Sequence, residues 1–212
     1  MKPSRPTARR KPGRPKIGEP SNVKETLLRT ASALFMQFGY DSVSLDQIGK
    51  AAGVTKASIY YYFPNKSELF TAAVVQMMAN IAGLTKRLLD APGSFRERLI
   101  AVTSAHMQTS HVDFESLLRE AGSSLSPGQI ADIREAERSI HLVLADVFRE
   151  QIGLGTIRPG DPLLYAYAFS SIMMLGGRRD TGAEAERTPS PFAHLGPGDI
   201  VDLFWYGVGH MV

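Results

Sequence analysis

The sequence predicts an all-α protein in two parts: a short helix-turn-helix unit near the N-terminus and a larger helical body behind it. Three observations predict this class. Apolar residues recur at helical spacing from Leu27 almost to the end of the chain. Capping pairs, with Glu or Gln three residues after Asn or Ser, mark helix starts at Asn22, Ser44 and Asn65. No segment alternates apolar and polar residues as a strand would, and no unit repeats at a fixed period. The expected division is a basic arm over 1–20, a helix-turn-helix domain over 21–66 and a helical domain over 67–212.

Each element has its own local reason. Asn22, with Glu25, is expected to cap a first helix of about 17 residues carrying Leu27, Ala31, Leu34, Phe35 and Phe38, which Gly39 stops. Ser44 with Gln47 starts a short helix with Leu45, Ile48 and Ala52 on one face, and Gly53 ends it. Thr55 caps the next, which runs into Tyr60, Tyr61, Tyr62 and Phe63 before Pro64. Asn65 with Glu68 opens a helix of about 24 residues. Beyond "APGS" the chain reads as further helices. Phe95, Leu99, Val102, His106 and Thr109 share a face, and Phe114 to Leu118 mark a short helix. A long helix with Ile130, Ile133, Glu137, Ile140, Leu144 and Val147 follows "SPGQ". Pro162 opens one that carries Leu163, Tyr167, Ser170 and Met174, residues 178–198 read as a loop, and Asp199 caps the last helix.

Composition narrows the chemistry. The 212 residues contain no cysteine, so disulfides, thiolate metal sites and cysteine nucleophiles are excluded. No apolar segment follows the basic start as in a secretory signal. The most apolar late stretch, Leu163 to Leu175, is about 13 residues where a membrane span needs roughly 20. A cytoplasmic protein without membrane association is expected. The formal charge of +3 is unevenly spread: residues 1–20 carry a net +6 and the remainder a net −3. Such end-loading points to an arm that meets a polyanion.

Two short helices joined around a glycine make a helix-turn-helix. A B-DNA major groove, roughly 12 Å wide, admits one helix. The second helix, Thr55 to Tyr62, is the expected reader. Lys56, Ala57 and Ser58 are short enough in reach to approach base edges: Lys56 toward guanine O6/N7, Ala57 toward a thymine methyl. Tyr60, Tyr61 and Tyr62 lie at about 100° intervals, so they cannot all be core, and at least two are expected to face phosphates or thymine methyls. Ser44 and Lys66 flank the reader as expected phosphate anchors, which set register rather than sequence preference. The plainer alternative is a structural hairpin with an aromatic core.

These residues carry a resemblance. "ETLLRTASALFMQFGYDSV" followed by "SLDQIGKAAGVTKASIYYYFPNKSELF" closely resembles the DNA-binding domain of TetR-like transcriptional regulators, over about residues 22–75. The resemblance implies an all-α homodimer on a near-palindromic double-stranded DNA operator, usually as a repressor. It implies that helices after about residue 90 enclose a small-molecule pocket and that the helices near 162–176 and 199–211 form the dimerisation pair. Ser44, Thr55, Lys56, Ala57, Ser58, Tyr60, Tyr61, Tyr62 and Lys66 fall where members contact DNA, and Phe63 at a core position. Ala57 stands where members often have glycine, which changes how closely that backbone approaches the groove. Beyond residue 90 no pocket residue carries over.

The arm contains "RRKPGRPK", Arg9 to Lys16, with five positive charges in eight residues. Its "PGRPK" resembles an AT-hook core. Pro15 holds Arg14 extended, and the narrow minor groove of an A-tract attracts such an arginine. Arg10, Arg14 and Lys16 are the expected contacts. A tail touching only phosphates is the alternative, and a membrane contact is disfavoured because no apolar helix face accompanies the charge.

In the body, His106 and Glu137 are polar groups on apolar faces. Either they pair with each other or with backbone groups, or they orient a ligand in an otherwise apolar cavity. Met107, Phe114, His141, Tyr167, Phe169 and Met174 are candidate lining residues or plain core. No metal-ligand spacing, phosphate loop, Gly-x-Ser-x-Gly or paired-carboxylate motif is present, so neither a cofactor nor an enzyme is expected. Two functions fit: a DNA-binding regulator, a repressor released by a small apolar ligand, or a constitutive architectural DNA-binding protein without ligand control.

Overall fold

The computed structural model describes residues 20–108, 114–177 and 194–208. Arg10, Arg14 and Lys16 of the arm, His111, and residues 178–193 of the expected loop lie outside them. Among the described residues the regular elements are helical: α1 Pro20–Phe38, α2 Leu45–Ala52, α3 Lys56–Tyr62, α4 Lys66–Leu89, α5 Phe95–Met107, α6 Phe114–Ala121, α7 Pro127–Gly153, α8 Pro162–Gly177 and α9 Pro197–Val208. A single 3-10 turn, Gly122–Ser124, links α6 to α7.

The N-terminal elements follow from local chemistry. α1 begins at Pro20, two residues before the expected Asn22. Proline suits the first turn because its missing N–H would have had no helical partner. Gly39 ends α1 with φ +84°, a conformation that favours glycine. Phe38 is exposed rather than inward. The place beside Phe35 is taken by Tyr40, beyond the turn, whose ring stacks 5.8 Å from Phe35 and meets Phe70 edge-on at 5.0 Å. Ser44 forms the expected reciprocal box with Gln47. Gly53 closes α2 in the left-handed region, and Val54 N–H donates to Gly49 O at 2.9 Å to complete the turn. Thr55 caps α3 and Asn65 caps α4. Asn65 Oδ1 accepts from the Glu68 N–H at 2.8 Å and from Ser67 Oγ at 2.7 Å.

Two cores hold the molecule. The first gathers Leu27, Phe35, Tyr40, Ile48, Ile59, Phe63 and Phe70 with Leu117 and Leu118 of α6 and Ile133 of α7. It therefore does not stop at residue 66. The second joins α5, α7, α8 and α9 through Phe95, Leu99, Phe148, Phe169 and Phe204. α4 and α7 run along each other and contribute to both cores. α4 is long and apolar enough, by length and composition, to cross a membrane. Its apolar residues, however, are the shared wall of these cores. The Arg96 guanidinium holds Asp202 Oδ1 at 2.6 Å and ties α5 to α9.

The phase of α8 differs from expectation. Tyr165, Ala166, Phe169 and Met173 point inward, whereas Tyr167 and Met174 are exposed, as is Leu164. α8 is apolar nearly all round, so periodicity alone cannot choose its buried face. Asp199 lies inside α9 rather than at its cap. It accepts from Gly196 N–H at 2.8 Å, because the helix begins at Pro197.

Candidate nucleic-acid interface

α3 is held by one buried side chain and offers the rest. Ile59 is fully buried in the first core, and Phe63, just beyond the helix, is buried as expected. Thr55, Lys56, Ala57, Tyr60 and Tyr61 are exposed, while Ser58 and Tyr62 are half-buried. Tyr61 is 82% exposed and Tyr60 48%, a costly arrangement for large rings unless another surface covers them. Tyr62 packs against the first core, and its ring meets Tyr61 edge-on at 5.0 Å. The structural-hairpin alternative required these rings inside; two of the three are outside.

Polar contacts preset the surface. Lys56 Nζ sits 3.0 Å from Asp46 Oδ1 on α2, and this bond raises its pKa. Both groups are exposed, so the pair is weak and readily exchanged for another anion. Thr55 Oγ1 accepts from Ser58 N–H at 3.1 Å and lies 2.9 Å from Ser58 Oγ. Ser44 Oγ donates to Gln47 Oε1 at 2.9 Å and accepts from Gln47 N–H at 3.2 Å. Its hydroxyl hydrogen is therefore already committed to the cap. Lys66 is half-buried. Its Nζ lies 4.3 Å from the Tyr40 ring centre and donates to Asp41 O at 3.4 Å, and burial lowers its pKa. Ser44, Lys56, Tyr60 and Lys66 line one open depression of about 420 Å³ beside α3.

Three supporting residues went unread in the sequence. Asp46 restrains Lys56. Tyr40 carries Lys66. Glu120 of α6 accepts from Asp41 N–H at 2.6 Å, fixing the turn between α1 and α2 to the body. Only Asp46 had a local signal, a carboxylate in the first turn of α2; Glu120 stands 79 residues from its partner.

The candidate ligand residues do not converge on one cavity in the described chain. Met107 is buried in the second core and Phe114 packs on the first. His106 is half-buried. Glu137 accepts from Arg134 at 2.8 Å, and Arg134 also holds Glu115. His141 and Tyr167 do come together, stacked at 4.1 Å, while Met174 is exposed. Burial lowers the His141 pKa against a smaller opposing pull from Glu137. A folded pKa below the ordinary 6.5 means the unfolded chain binds the proton first. This contribution is present above about pH 6.5 and is lost as pH falls through the lowered value. His141→Phe keeps the stack and removes the titration. Thermal melts at pH 8 and pH 5 are expected to show a smaller acid loss in His141→Phe than in the wild type; equal losses would contradict it.

Comparison with known proteins agrees with this geometry. Residues 27–73 match the family model "Bacterial regulatory proteins, tetR family". The uncharacterized HTH-type transcriptional regulator YhgD of Bacillus subtilis is 27% identical over 146 residues, 68% of this chain and 76% of YhgD. The HTH-type transcriptional regulator RutR of Escherichia coli is 40% identical over 58 residues, 27% of each chain. The chain thus spans about three quarters of one relative and about a quarter of the other, where the likeness is confined to a short segment. The crystal structure of Bacillus subtilis FadR in complex with stearoyl-CoA has the same fold, with TM-score 0.63 and 19% identity over 85% of this chain and 96% of that one. The caps and the buried Ile59 beneath an exposed reader agree with these matches, in which residues 27–73 are similar to the DNA-binding segment of the tetR family and the described chain shares the fold of that structure.

Proposed function

We propose that this chain is a DNA-binding transcriptional regulator whose α3 enters the major groove of a near-palindromic operator. The observation that carries the reading is an exposed Tyr60, Tyr61 and Lys56 on a short helix anchored from beneath by Ile59. Lys56 exchanges Asp46 for a base or phosphate, Ala57 and Ser58 lie against the base edges, and Thr55, Ser44, Tyr62 and Lys66 flank them. The working division is residues 21–66 for DNA and 67–212 for ligand and dimer contacts. A cytoplasmic location follows from that role.

Two copies are needed to read a palindrome. The exposed Leu164, Tyr167 and Met174 of α8 share one helix face, and Leu203 and Tyr206 of α9 another. A second copy of the chain covers both, and sets the two readers about 34–36 Å apart or a related spacing. Repression released by a small apolar ligand completes this reading; one structure with the same fold is a complex with stearoyl-CoA. His106, Met107, Phe114, Glu137, His141, Tyr167 and Met174 are the candidates for contact, with rearrangement needed to gather them. Full switching between states takes roughly 5.5 kcal/mol of preferential binding.

Deleting residues 1–18 tests reader against arm. If α3 selects the site, the truncated chain keeps its preference for one duplex over a scrambled one and binds both more weakly. Its salt slope then falls by about 0.9 for each phosphate that the arm had neutralised. Disappearance of the preference together with affinity would favour the constitutive architectural reading, in which Arg10, Arg14 and Lys16 dominate.

A further inference from the structure

The helix-turn-helix unit is joined to the body through the chain, where α3 passes by Pro64 and Asn65 into α4, and through α6, whose Leu117, Leu118 and Ala121 pack into the first core. Charge-assisted hydrogen bonds tie α6 near both of its ends. Near its start, Arg134 of α7 donates to Glu115 Oε2 at 2.8 Å. Near its end, Glu120 Oε1 accepts from Asp41 N–H at 2.6 Å.

The Glu120 contact is closely fitted. A Cβ at Gly39 would lie 2.7 Å from Glu120 Oε2 and 3.1 Å from Oε1, so the carboxylate fills the space that a side chain at position 39 would need. Lys66, the first residue of α4, holds the same turn by donating to Asp41 O, and the charges of Asp41 and Glu120 both attract it. Asp41 thus has its N–H fixed by α6 and its carbonyl by α4. Turns ordinarily move more than the helices they join; this one is gripped from two elements of the body.

We propose that Glu120 is a positioning residue for DNA reading: it pins the α1–α2 turn to α6 and so sets the angle at which the body presents α3. This rests on the role proposed above for α3. Ile48 of α2 and Ile59 of α3 are buried in the core that α1 shares, so a tilt of the turn carries the reader with it. Without the carboxylate the Asp41 N–H turns to water. The unit stays folded around Phe35 and Ile59 but loses one fixed point on the body. In a dimer, a freer unit still meets each half-site and no longer enforces a single spacing between them.

Anisotropy titrations of the full-length chain with two duplexes test this. One is selected from random sequence by the wild-type protein. The other is the same duplex with one base pair inserted between its half-sites, which moves them about 3.4 Å further apart. The wild type is expected to prefer the first. E120A is expected to reduce that preference by about two- to thirtyfold, the range for residues that touch neither ligand yet alter the coupling between sites. E120Q keeps an oxygen acceptor in place and is expected to retain most of the preference. Thermal melts within about 4 °C of the wild type show that both variants are folded. Undiminished preference in folded E120A, or equal loss in E120A and E120Q, would overturn the proposal and leave the DNA-reading role of α3 standing. A wild type without spacing preference would overturn that role in its dimeric form, and this proposal with it.

Discussion

Phe35→Ala is expected to lower the unfolding free energy by about 3–5 kcal/mol. Phe35 is fully buried, and its ring meets Phe70 edge-on at 5.1 Å and stacks on Tyr40 at 5.8 Å. Truncation removes both ring pairings and leaves a cavity where α1 and α4 meet. Domains of this kind have only about 5–15 kcal/mol in total. The same core includes Ile48 and Ile59 beneath the helix-turn-helix and Leu117 and Ile133 of the body. The reader and this end of the body are therefore expected to soften together. Urea titration should show an earlier midpoint with an unchanged slope. Phe38→Ala, three residues on and exposed, provides the contrast, with a change within about 0.5 kcal/mol. A comparable destabilisation by both would mean that the first core is misassigned.

Combining Lys56→Ala with Tyr61→Ala is expected to reduce affinity for the preferred duplex by about ten- to a hundredfold, the scale of removing one or two side chains that meet base edges. Preference over a scrambled duplex falls with it. Neither side chain is buried, and alanine is the best helix former, so α3 should survive the change. Thermal stability is expected to stay within the range of ordinary surface substitutions. Lys56→Ala also leaves Asp46 facing the DNA without its partner, so the double variant Lys56→Ala, Asp46→Ala should recover part of the affinity that Lys56→Ala alone removes. Anisotropy titrations of all these variants at two salt concentrations separate base reading from phosphate contact, because only the latter changes the salt slope appreciably.

The N-terminal elements were legible because their signals are local. Ser44 and Gln47 cap each other across three residues, Gly53 needs a left-handed backbone, and three adjacent tyrosines cannot all point inward. What escaped was set by tertiary packing. The face of α8 cannot be chosen from a run apolar on nearly every side, so Tyr167 and Met174, expected inward, lie outside. Tyr40 beneath Lys66 and Glu120 against Asp41 depend on where α4 and α6 come to rest, which no short window encodes. Glu137 was expected against His106, a backbone group or a ligand, and Arg134, one turn away, reaches it and also bridges to α6. The candidate ligand-lining residues, drawn from separate helical faces, are not gathered in the described chain for the same reason: each face is readable, but which faces meet is not.

Photocrosslinking from position 61 puts the claim about α3 to its sharpest test. A benzophenone-bearing phenylalanine replaces Tyr61 in one full-length chain and Tyr206 of α9 in another, each offered a duplex selected from random sequence by the wild-type protein. Attachment of position 61 to a defined base within the selected site, displaced by unlabelled specific duplex, is the predicted result. Attachment from position 206 with none from position 61 would contradict it.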